Sequence, residues 1–143
     1  MAYSYKWLIE PHVLYCAFGG DLNGDELLDA SRDAIAYYRE GDASVKIHSI
    51  IDARDVQSYP FFNWKMPSTK ESQQFRQVKN VGWIVLVTRN KAIINLSKLV
   101  RGVSRVQFHT TDTLESAVDF LHSKTTQLDW KTARQTLHTM QSR

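Results

Sequence analysis

Cysteine is almost missing from this chain: among 143 residues only Cys16 carries a thiol. One thiol closes no internal disulfide and falls short of a thiolate metal cluster, so a disulfide scaffold is excluded and a reducing compartment suits the chain. Glycine is scarce too, with 6 residues, and no glycine-rich phosphate loop follows a strand. The pair Gly19-Gly20 leads straight into Asp21, whose carboxylate would repel a phosphate. No apolar run reaches the roughly 18 residues of a membrane span. The opening Met1-Ala2-Tyr3-Ser4-Tyr5-Lys6 lacks a basic segment followed by an apolar one, so no export signal is expected and the cytoplasm is the expected location. Also missing are HExxH, paired Cys/His spacing and a G-x-S-x-G elbow. No metal site, cofactor or activated nucleophile is therefore expected.

What remains is the composition of a folded domain. Hydrophobic residues make up 43% and charged residues 23%, ordinary values for a chain that buries a core. The net charge of +3 conceals an asymmetry, since residues 1–60 hold 5 Lys and Arg against 10 Asp and Glu, and residues 61–143 hold 13 against 5. The basic second half is able to steer an anionic partner. Its aromatics are not interleaved with Lys and Arg on any one strand, so nucleic acid is not the expected partner.

Periodicity and caps predict alternating strands and helices. Tyr5-Lys6-Trp7-Leu8-Ile9 and Val13-Leu14-Tyr15-Cys16-Ala17-Phe18, joined across Pro11, read as a hairpin. Asn23 and Glu26 form a capping-box pair for a helix running to Glu40, which Gly41 should stop as a left-handed glycine. A strand over 45–53 ends in Ile50-Ile51-Asp52-Ala53 and then opens into a long loop. Ser68 and Glu71 cap a short helix through Phe75 and Val78. The run Val81-Gly82-Trp83-Ile84-Val85-Leu86-Val87 suits a central strand covered on both faces. A helix over 91–103 follows, with Lys91, Lys98 and Arg101 on one face and Ile93, Leu96 and Val100 on the other, then a strand over 106–109. Asp112 with Glu115 should cap the next helix, and Asp129 a tail helix striped with Trp130, Ala133, Leu137 and Met140. This pattern is α/β: a single mixed, mostly parallel sheet of about five strands with helices packed on it, plus a C-terminal tail helix.

The same order resembles the SpoIIAA-like proteins, small relatives of the STAS domain and of the anti-sigma-factor antagonists. The resemblance rests on Trp7-Leu8-Ile9-Glu10, Val13-Leu14-Tyr15, Gly20-Asp21-Leu22, Ile51-Asp52-Ala53, the 82–87 run and Thr113-Leu114-Glu115-Ser116-Ala117. It covers residues 1–123 and leaves 124–143 as a helical extension. It implies a right-handed β-α superhelix and a non-catalytic module that binds partner proteins or, in some branches, small or lipid-like ligands. In the antagonists a phosphorylatable serine follows the Asp-bearing strand at a helix start. Here that stretch reads Gln57-Ser58-Tyr59-Pro60-Phe61-Phe62, with no glycine and Pro60 two residues beyond Ser58, so the phosphoserine switch does not carry over.

Candidate site residues gather after that strand. Asp52 stands where open α/β sheets place ligand-binding groups, although an aspartate there also caps turns. Arg54 and Ser58 lie beside it. Tyr59, Phe61, Phe62 and Trp64 crowd a segment bounded by Pro60 and Pro67, offering rigid anchors for a partner or a cover for the core end or a dimer seam. His48 shares a strand face with Asp52 but about 13 Å away at strand rise, too far to share a proton. His109 near Asp112 reads as a structural or exposed histidine. The expected function is a non-catalytic regulatory or protein-interaction module, with homodimerisation through the aromatic loop or tail helix open to it. The alternative is a carrier of a small apolar or lipid-like ligand under the loop 59–66.

Overall fold

A computed structural model of the chain describes residues 3–21, 23–58, 77–95 and 106–141. Five strands lie side by side in chain order: β1 (Tyr3–Ile9), β2 (Val13–Asp21), β3 (Ile47–Ser58), β4 (Val81–Val87) and β5 (Phe108–Thr111). β1 and β2 form the expected antiparallel hairpin, its turn closed by the His12 N–H donating to the Ile9 carbonyl at 2.7 Å. The remaining pairings are all parallel, which makes the sheet mixed and mostly parallel. Helix α1 (Gly24–Glu40) carries the chain from β2 to β3, and α2 (Leu114–Lys124) and α3 (Trp130–Gln141) follow β5.

Side chains two apart on a strand share a face, and β2 divides accordingly between two cores. Val13 and Tyr15 join Ile50, Val85 and Val87 against Leu114, Val118 and Leu121 of α2 and Trp130, Ala133 and Leu137 of α3. Leu14 joins Ile47 against Tyr38 of α1, with Tyr5, Trp7 and Ala34 packed around them. A sheet covered on both faces explains why β4 is apolar almost throughout. The tail helix packs on its own chain, within the same core as α2.

Local chemistry sets the helix ends. The Asn23 side chain accepts from the Glu26 N–H at 2.8 Å, as the capping pair required. Gly41 stops α1 with φ −82° and ψ 172°, so the helix ends in extended backbone and not through the expected left-handed glycine. α2 starts one residue later than expected: Thr113, not Asp112, is its cap, and the Thr113 hydroxyl accepts from the Ser116 N–H at 3.0 Å. The cause is β5, which stays paired to β4 through Leu86↔Thr110 and Val87↔Thr111 and so delays the turn. Asp129 caps α3 as expected, accepting from the Thr132 N–H at 3.1 Å and its hydroxyl at 2.7 Å.

β3 departs most from expectation. It does not open into a loop after Ala53 but runs on to Ser58, because β2 also continues and Gly19, Gly20 and Asp21 pair with Asp55, Val56 and Ser58. The register slips twice along that stretch, and Gly20 takes φ +69°, a left-handed conformation that glycine adopts without steric cost. The aromatic segment 59–67, the helix expected from Ser68 and the part of the basic helix beyond 95 lie outside the described residues, whereas 91–95 are helical.

Candidate functional site

Asp52 sits on the α2–α3 face of β3, only 5% exposed. Its carboxylate is fully engaged by its own chain. The Tyr15 hydroxyl donates to Oδ2 at 2.5 Å. The Arg54 guanidinium grips it bidentately, Nε to Oδ1 at 2.9 Å and Nη2 to Oδ2 at 2.8 Å. The Arg54 backbone N–H adds a further bond to Oδ1 at 3.2 Å. The strand makes this possible: residues 52 and 54 share a face, and Tyr15 pairs with Ile50 on the neighbouring strand, so its hydroxyl reaches one pleat forward.

Burial is the largest single influence on Asp52 and would raise its pKa. The Arg54 guanidinium, the Tyr15 hydroxyl and the Arg54 N–H together outweigh it and hold the carboxyl below its usual range. The same hydrogen bond to Asp52 is the main cause that raises the Arg54 pKa, and burial followed by the bond to Asp52 raises Tyr15. Asp52 is thus bound within its own chain: it accepts the Arg54 N–H inside a strand and not at a turn, and it orients the Arg54 guanidinium. Arg54, with a side chain 38% exposed, binds Asp52 through Nε and Nη2 and leaves its Nη1 donors free of that carboxylate.

Because the folded pKa of Asp52 is depressed, its contribution to stability is complete above the unfolded value near 4 and fades as pH falls through the folded value. Asp52→Asn is expected to cost about 1–2 kcal/mol at neutral pH, discounted for the exposed guanidinium. It should also flatten the loss of stability below pH ~4, read from denaturant midpoints across the acid range.

The other sequence candidates take separate partners. His48 accepts the Trp83 N–H at its Nδ1, 2.8 Å away, and its ring lies over Gly82. His109 stacks on Phe120 with centroids 3.8 Å apart and planes 6° apart. Burial pushes the Cys16 thiol up to about 12, so it stays protonated and inert. Among the described residues no group of three or more His, Cys, Asp or Glu side chains is placed to hold a metal ion. No helix among them is long and apolar enough to cross a membrane. Ser58 is the last residue of β3, in register with Asp21. Tyr59, Phe61, Phe62 and Trp64 lie outside the described residues.

Two features escaped the sequence reading. Tyr15 had no local signal linking it to Asp52, since the link depends on strand register. A cleft lined by Trp7, Glu10, Tyr37, Glu40 and Asp42 lies at the start of β3, where Ile47 borders it, and is assembled from segments far apart in the chain. The glutamate beside Pro11 and the aspartate after Gly41 mark the two turns that form it.

A hairpin leading into parallel β-α units, with helices on both faces, defines the SpoIIAA-like class of α/β folds. The solved structure of an uncharacterised protein of the DUF3478 family from Shewanella loihica PV-4, described as having a SpoIIAA-like fold, is similar with a TM-score of 0.59. The likeness spans 84% of this chain and 94% of that one at 11% sequence identity, so it is a likeness of fold. The fold of this chain is SpoIIAA-like, as the sequence resemblance implied. No protein-family model matches the chain, and no curated protein matches its sequence.

Proposed function

We propose that this protein is a non-catalytic regulatory or protein-interaction module of the cytoplasm that meets its partner at the carboxyl end of the sheet, around Arg54 and the aromatic residues that follow β3. The observation that carries this reading is the saturation of Asp52. A carboxylate that is 5% exposed and accepts four hydrogen bonds from Tyr15 and Arg54 has no lone pair to spare as a general base. It serves instead to hold Arg54 rigid, and a pre-oriented guanidinium is well suited to accept a partner's carboxylate or carbonyl. The module works without a phosphoserine switch. The loop signature of that switch is missing from the sequence, since Gln57-Ser58-Tyr59-Pro60 has no glycine, and Ser58 itself is the last residue of β3, in register with Asp21.

Chemical cross-linking of the full chain in lysate, with Arg54→Glu, Phe61→Asp and Trp64→Asp variants alongside, tests the proposal. Each substitution should remove the same cross-linked species; Phe61→Asp and Trp64→Asp should leave the thermal midpoint within a few degrees, and Arg54→Glu should lower it because it strands the Asp52 carboxylate. A partner captured equally by all variants, or a clean monomer with no rim-dependent partner, would overturn it. The same preparations distinguish the carrier reading, because a lipid retained in native mass spectrometry and lost in Phe61→Asp would move the function from docking to carriage.

A further inference from the structure

At the start of β3, where β1 turns into β2 and α1 gives way to the next strand, a cleft of about 270 Å³ opens to solvent. Trp7, Tyr37 and Val45 supply apolar lining, and Glu10, Glu40 and Asp42 supply three carboxylates. We propose that this cleft binds an organic cation, an alkylammonium or guanidinium group of side-chain size. It stands apart from the Arg54 rim, so the two proposals fail or survive independently.

Three features converge on that ligand. The first is the wall. The Trp7 and Tyr37 rings meet at 82° with centroids 5.8 Å apart, forming an aromatic corner, and indole and phenol rings are the preferred neighbours of ammonium and guanidinium groups. The second is charge that the fold leaves unbalanced. No Lys or Arg lines the cleft, and among the described residues Glu10 and Glu40 have no ion-pair partner. Lys46, the cation next to Val45 in the chain, is drawn off to the Lys79 carbonyl at 3.0 Å. Asp42 is held ionised by the Ser44 N–H and hydroxyl, both donating to Oδ1, so its Oδ2 remains for a ligand.

The third feature is the position of Glu40. It is the last residue of α1, where the helix already presents its negative end and where an acidic side chain opposes the fold. Arg39 is the only basic residue of that last turn, and it is not part of the cleft lining. A cation seated between Glu40 and Trp7 relieves that repulsion. The volume is below the range of drug-sized pockets, which suits a single cationic group and not a larger metabolite.

Amide NMR of the full chain tests the assignment, using n-butylammonium, Nα-acetyl-argininamide and a blocked lysine-containing tetrapeptide as probes and n-butanol as the neutral control. The cations should give saturable shifts centred on the Trp7 indole, Gly41, Asp42 and Val45, and butanol should give none. Glu40→Gln and Glu10→Gln should each weaken binding about threefold, the scale of one exposed carboxylate acting on a cation. Glu40→Gln should also keep or raise the thermal midpoint, which shows that lost binding is not lost folding. Tighter binding of the tetrapeptide than of either small cation assigns the site to a partner's side chain; equal binding assigns it to a free amine. Butanol shifts equal to those of the cations, undiminished binding in the Glu10→Gln/Glu40→Gln double variant, or no saturable shift would overturn the proposal.

Discussion

Trp130→Ala is expected to lower the free energy of unfolding by about 3–5 kcal/mol, the largest loss of any single truncation among the described residues. Trp130 is 2% exposed and lies in the core shared by the sheet, α2 and α3. Its indole also closes a polar junction, since Nε1 donates to the Thr125 carbonyl at 2.9 Å and lies 3.2 Å from the Thr125 hydroxyl. Thr125 in turn ends α2, donating its own N–H to the Leu121 carbonyl at 2.9 Å. Removing the ring thus opens a cavity and takes one of two donors from the Thr125 carbonyl, which keeps the Leu128 N–H at 3.2 Å. Trp130→Phe separates the two costs, because it keeps most of the volume and loses only the N–H; about 1–2 kcal/mol is expected. Urea unfolding followed by far-ultraviolet circular dichroism reads both. A loss below about 1 kcal/mol for Trp130→Ala would mean that α3 does not contribute to the core as its burial indicates.

The tail was among the most legible parts of the sequence, because its signals are local. Asp129 before an apolar stripe at helical spacing needs no knowledge of the rest of the chain, and the same holds for the Asn23 and Glu26 pair and the apolar β4 run. Strand boundaries depend on distant partners, and there the reading slipped. Arg54, Asp55 and Gln57 look like loop residues by composition, yet they lie in β3 because Gly19, Gly20 and Asp21 extend alongside them. The site shows the same division. Asp52 and Arg54 were recognisable from their place after an apolar strand. Tyr15, 37 positions away in the chain, became their partner only through the register of β2 on β3. The acidic cleft draws residues from β1 and its turn, the C-terminal end of α1 and the segment leading into β3, and no periodicity in one segment announces such a meeting. The aromatic cluster at 59–64 was equally plain in sequence, but it lies outside the described residues, so its bearing on the rim rests on the variants proposed for it.

Gly82→Ala is expected to be the costliest conservative change among the described residues, about 2–4 kcal/mol from overpacking together with a strained or broken half-buried hydrogen bond. A methyl group at position 82 would lie 2.4 Å from the His48 Nδ1 and 2.6 Å from Cε1, well inside contact distance of the half-buried ring. If the ring turns away it gives up the Trp83 N–H, which has His48 Nδ1 as its acceptor at 2.8 Å. That bond places the imidazole proton on Nε2 and requires the ring to be neutral. Burial, then the nearby charges of His12 and Lys46, depress the His48 pKa below 6.5. A depressed histidine contributes stability that is complete above the unfolded value and fades as pH falls from 6.5 through the folded value. Wild-type stability should accordingly decline as pH falls below 6.5, and His48→Ala should lose that part of the slope. The two residues should also be coupled. In a His48→Ala background the added methyl meets no ring, so Gly82→Ala should cost far less than it does alone, a non-additivity of about 1–3 kcal/mol in a double-mutant cycle. Additive costs, or a pH slope unchanged by His48→Ala, would show that the imidazole is not what the glycine makes room for.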